Sequence, residues 1–223
     1  METIILNETE EVNLSKDYIK VENSFGGNQE WSDKKQISDY GCGLIAFNDL
    51  VLYMKPGLRT KYDKKEYYLK RLEETRNSYF RFWCFRGIPG IWLSLAMKRF
   101  IRGNDLPYRV SWGVLPWNLK KRIKDMIRLY DLPVIFSIGP GYFRKNRVTF
   151  YERRGKTFNP VCHTKSHYVT VTGYIEEAGT GRLMLRISSW GNMYYIDFNE
   201  YCDYVKKNDN FYFSSILSLK KIT

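Results

Sequence analysis

Residues 36–50 read QISDYGCGLIAFNDL: a cysteine set between two glycines, where a polar stretch gives way to an apolar helix. Within Gly43–Met54, Leu44, Phe47, Leu50, Val51 and Met54 recur at helical spacing and share one face. Cys42 therefore stands at a helix start, where unsatisfied N–H groups and the helix dipole favour the thiolate. The flanking glycines let the backbone turn sharply and leave room for a substrate. Gln36 lies six positions earlier, and its side-chain amide is a candidate donor to an oxyanion forming beside the Cys42 N–H.

A cysteine nucleophile needs a base. His167 opens the strand-like run HYVTVTGYI (167–175), directly after the polar CHTKS, so its ring stands at a strand end near a rim. His163 sits four residues earlier with no such framing. The next strand ends in RISSWGN (186–192), and Ser188 is the candidate for the third residue that would orient the imidazole.

The neighbouring segments set these residues in an α+β chain. Residues 63–78 form a charged helix, Pro89 would open a helix reaching Ile101, and Pro116–Tyr130 is amphipathic. Tyr108–Val114 reads as a strand. So do LPVIFSIG (132–139), RLMLRIS (182–188), MYYID (193–197) and FYFSSILSL (211–219), rich in β-branched and aromatic residues. Gly179-Thr180-Gly181 is a hairpin turn, and FNEYCDYVKK a short helix. Helices come first and an antiparallel sheet second, which is not a βαβ order.

The glutamine six residues before Cys-Gly, the later HYVTVTGY and the closing SSWG together resemble the papain-like cysteine peptidases, above all the small bacterial peptidases of the C39-like group. The likeness covers about residues 25–205. It implies a helical N-terminal part packed on an antiparallel C-terminal sheet, with the site in the cleft between them. It implies roles for Gln36 (oxyanion), Cys42 (nucleophile) and His167 (base), and no metal or organic cofactor. The chain departs from the family where Asn or Asp is usual before Ser-Trp-Gly and Ser188 stands instead. It departs again where an acid often precedes the cysteine and Gly41 stands instead.

Composition frames this reading. The 223 residues are 43% apolar, enough for a core, and carry a net charge of +12. Residues 1–30 hold seven acids against two bases (Lys16, Lys20), leaving +17 on the rest. They read as an acidic N-terminal extension ending at a Gly26-Gly27 loop and able to cover a basic catalytic domain at 31–223. Four scattered cysteines and two histidines offer neither a disulfide scaffold nor a zinc site. Cys84, Cys162 and Cys202 read as structural. With no signal peptide or apolar span, the expectation is a cytoplasmic enzyme acting on a peptide or protein substrate. The rival readings are a papain-like acyltransferase or amidase, an inactive relative, or a basic module binding acidic protein or nucleic acid. No nucleic-acid motif accompanies the charge.

Overall fold

The computed structural model describes residues 2–81, 83, 87–139 and 147–222; Cys84 lies outside them. Two strands, β1 (Ile4–Ile5) and β2 (Thr9–Asn13), open the chain, and β3 (Lys20–Val21) pairs with β4 (Ser24–Phe25). Helices α1 (Lys35–Tyr40) and α2 (Cys42–Met54) meet at Gly41, and α3 (Pro56–Arg59) and α4 (Lys65–Tyr79) follow. Next come α5 (Gly90–Arg102), β5 (Tyr108–Trp112), α6 (Pro116–Arg128) and β6 (Val134–Ile138). The hairpin β7 (Val148–Arg154) and β8 (Thr157–Thr164) leads to β9 (His167–Glu177), β10 (Leu183–Ser189) and β11 (Asn192–Asp197). Helix α7 (Phe198–Asn208) and β12 (Leu217–Lys221) end the chain.

The fold is α+β around one large antiparallel sheet, in the order β1-β8-β7-β11-β10-β9-β2 with β6 also on β9. Strand β9 shares one edge between two partners. Ile138 of β6 faces His167 and Val134 faces Val171, after which Asn13 to Thr9 of β2 pair with Gly173 to Glu177. Its other edge carries β10.

Helix α2 is apolar nearly all round, as a helix surrounded by core must be, and Gly43–Tyr53 are all buried. Of its two polar interior residues, Asn48 accepts from Thr75 through Oδ1 at 2.9 Å, and Asp49 is met below. No helix among the described residues is long and apolar enough to cross a membrane.

The sequence expectations need correcting at three places. Residues 1–30 are not an appendage, because they supply two strands to the main sheet and bury Leu6, Leu14, Tyr18, Ile19 and Val21. Their acids do meet the basic body, as Glu10–Arg128 and Glu11–Arg153 ion pairs, but at the far end of β9 from His167. The last strand starts at Leu217, not Phe211, because the Asn210 side chain accepts from the N–H groups of Tyr212 and Phe213 and holds a local turn. Pro89 precedes its helix, which begins at Gly90.

Candidate active site

Cys42 is the first residue of α2, with Gly41 at the cap and no side chain capping the turn. The backbone N–H groups of Tyr168, Gly43 and Cys42 itself point to its sulfur. Burial outweighs them and pushes the thiol pKa up, although the residue as a whole keeps partial exposure. The Tyr168 contact ties Cys42 to β9 one residue past His167.

His167 is buried, and its Nε2 lies 2.8 Å from Ser189 Oγ. The Trp190 ring stacks on the imidazole at 4.5 Å with a 19° tilt. Burial lowers its pKa from 6.5 to about 4, so the ring is neutral near pH 7. Left-handed backbone flanks the ring on both sides, at Ser166 (φ 53°) and Trp190 (φ 49°). Neither is glycine, so each conformation costs about 1–2 kcal/mol that the surrounding packing must hold.

Cys42, His167 and Ser188 line one narrow pocket with Gly27, Gln29, Asp49, Tyr168, Ser189 and Trp190. Its volume is about 10 Å³, room for about one water. His163, by contrast, is exposed on β8.

Two expected site residues do other work. Gln36 does not line the cavity: its Nε2 donates to the Trp83 carbonyl at 2.8 Å, and its Oε1 accepts from Arg76. Gln29 does line it, with Nε2 donating to the Ser38 carbonyl at 2.6 Å. Ser188 donates to the Phe25 carbonyl at 2.7 Å, and Ser189 meets the imidazole instead. Strand parity explains the exchange. Ser188 pairs with Thr170 and shares its face, whereas Ser189, one residue on, shares the face of His167.

Gly26 and Gly27 are packed wall, not loose loop. Gly26 has φ +81°, and a Cβ there would lie 2.3 Å from Ser188 Oγ and 2.8 Å from Asp49 Oδ2. Gly26→Ala should therefore cost at least about 2 kcal/mol, lowering the melting temperature by roughly 4–8 °C in calorimetry. An unchanged melting temperature would mean the wall is softer than its contacts.

Comparison with protein-family models, curated proteins and solved structures finds no match.

Proposed function

We propose that the protein is a cysteine-dependent amide hydrolase of papain-like arrangement acting on peptide or protein substrates. The observation that carries this reading is one narrow pocket lined by a helix-start cysteine and a histidine whose ring is held by a serine and a tryptophan. With Nε2–H donating to Ser189, Nδ1 is the bare nitrogen and the acceptor for a proton. As Cys42 Sγ bonds to the substrate carbonyl carbon, its proton passes to His167 Nδ1. The C–N bond then breaks, and the imidazolium returns the proton to the leaving amine. Water, deprotonated by the same nitrogen, attacks the thioester and releases the acid and the thiol. An acyltransferase would follow the same path with another acceptor in place of water. The pocket has room for about one water beside the thiol, which itself keeps partial exposure.

Gln29 takes the oxyanion role first expected of Gln36. One of its amide hydrogens already serves the Ser38 carbonyl, so the expected loss is modest. Gln29→Ala should lower the acylation rate about tenfold, below the 10²–10³ of a dedicated donor. Gln36→Ala should leave that rate within about twofold and reduce stability instead, because the Arg76 and Trp83 groups lose their partner. The reverse ranking would restore Gln36 to the site.

The narrow pocket and the neutral thiol–imidazole pair favour a second reading, a catalytically retired domain of the same arrangement. Intact-mass analysis after treatment with a panel of peptidyl vinyl sulfones at pH 7.5 separates the two. A single adduct on Cys42, absent in Cys42→Ser, supports the hydrolase. No adduct across the panel, while Cys42 in the unfolded protein reacts normally, supports retirement.

A further inference from the structure

Two parts of the site come from distant stretches of chain. The nucleophile begins α2, whereas Ser189 and Trp190, which hold the base, lie at the turn between β10 and β11. The segment Phe25–Gln29 runs between them and is bonded to both. On the turn side, Phe25 N–H donates to the Gly191 carbonyl at 2.7 Å, and Gly191 N–H donates to the Gly27 carbonyl at 3.2 Å. Ser188 Oγ adds its bond to the Phe25 carbonyl. On the helix side Gln29 Nε2 donates to the Ser38 carbonyl of α1, and Asp49, two turns along α2 from Cys42, accepts from Gly27 N–H at 3.0 Å.

Asp49 is fully enclosed and held by two tyrosines. Tyr68 Oη donates to Oδ1 at 2.6 Å and Tyr18 Oη to Oδ2 at 3.1 Å. A structural polar group of this kind would ordinarily be replaceable, but this one lines the reactive cavity and holds its glycine wall.

We infer that Asp49 is a positioning residue: through Gly27 and Gly191 it sets the spacing between the Cys42 helix and the turn that orients His167. The inference rests on the hydrolase reading for its kinetic consequence, not for its geometry. Burial raises the Asp49 carboxyl from 3.8 to about 6, so at neutral pH the ionised form is kept against its own solvation. A group retained at that cost for stability alone would be better replaced by its neutral isostere.

Asp49→Asn makes that replacement. Its amide nitrogen must donate where a carboxylate oxygen accepted, so either the Gly27 contact is lost or the Tyr68 hydroxyl must turn to accept, while the volume is kept. The test reads two quantities. First, the maximal rate of Cys42 alkylation by a peptidyl vinyl sulfone, whose double bond the thiol adds across, should fall about thirtyfold, short of the roughly hundredfold of a full ångström of misplacement. The melting temperature at pH 7.5 should hold or rise. Second, imidazole ¹⁵N shifts of His167 are recorded in a His163→Gln background. They should show one tautomer while Asp49 is present and an averaged pair once Asp49→Asn is added.

An unchanged rate together with an unchanged tautomer overturns the positioning role. If no probe reacts even with the native protein, the hydrolase reading fails, and the tautomer comparison alone decides: averaging in Asp49→Asn supports positioning, and no change overturns it.

Discussion

Replacing His167 by alanine should slow alkylation of Cys42 by a peptidyl vinyl sulfone by roughly 10²–10⁴-fold at pH 7.5. The size follows from the resting state of the pair. Burial raises the thiol and lowers the imidazole, so near neutral pH both groups are uncharged and no thiolate waits preformed. The proton must then leave sulfur as the bond to carbon forms, and without Nδ1 the acceptor left in the cavity is the Asp49 carboxylate, already engaged by Tyr18, Tyr68 and Gly27. A corollary distinguishes this state from a preformed ion pair. Iodoacetamide, which makes no use of an oriented base, should label native Cys42 slowly at pH 6 and faster as pH rises. Helix position alone points to the opposite, and desolvation is the term that sequence does not display. Rates for Cys162 and Cys202 serve as internal controls, since both thiols lie outside the cavity. Equal vinyl sulfone rates in native protein and His167→Ala would sink the nucleophile–base pairing.

The second large effect is on stability, where two buried groups of the cavity oppose each other. His167 has a folded pKa of about 4 against 6.5 ordinarily. Its folded form binds the proton less readily, so stability is lost as pH falls from 6.5 to 4, by about 3 kcal/mol in all. Asp49 has a folded pKa of about 6 against 3.8. Its folded form binds the proton more readily, so stability is gained as pH falls from 6 to 3.8, again by about 3 kcal/mol. The groups facing them, the Tyr18 and Tyr68 hydroxyls, the Cys42 thiol, Tyr168, Ser189 and Trp190, carry no charge in that window. The native protein should show little net dependence from this pair. Asp49→Asn should expose the histidine term, its melting temperature falling by roughly 6–12 °C more than native between pH 6.5 and 4. His167→Gln should expose the carboxylate term and gain stability over the same interval relative to native. Parallel pH profiles for all three proteins would show that neither group titrates as its burial demands.

Residues whose role depends on local pattern are legible in the sequence. The apolar run after Cys42, the β-branched strand opening at His167 and the Gly179–Gly181 turn all rest on spacing within one element, and each element stands where the pattern sets it. Roles that depend on register or on distant partners are not legible. Ser188 and Ser189 are chemically the same, and only the pairing with β9 decides which one shares the face of His167. The six-residue offset favours Gln36, yet α1 fills the interval and turns it toward Trp83 and Arg76, leaving Gln29 at the cavity. The hairpin β7–β8 escapes a reading by pattern because Arg153, Arg154 and Lys156 crowd its turn and Pro160 interrupts β8. The N-terminal strands are hidden by their charge: TEEVN is a poor strand until β9 offers its free edge.

The bond between Ser188 and Phe25 spans 163 residues of chain, which bears on how the molecule comes into being. At about 5–20 residues per second, Phe25 leaves the ribosome roughly 8–30 s before its partner is made. Throughout that interval α2 has neither β9 nor the Ser189–Trp190 turn to lie against, and its apolar surface is a hazard for misassembly. Contacts of such sequence separation also put this chain among slow folders. The delay has a protective side, because nascent Cys42 is an ordinary thiol with no base beside it. The surroundings of Cys42 and His167 are assembled last, by the same closure that completes the sheet.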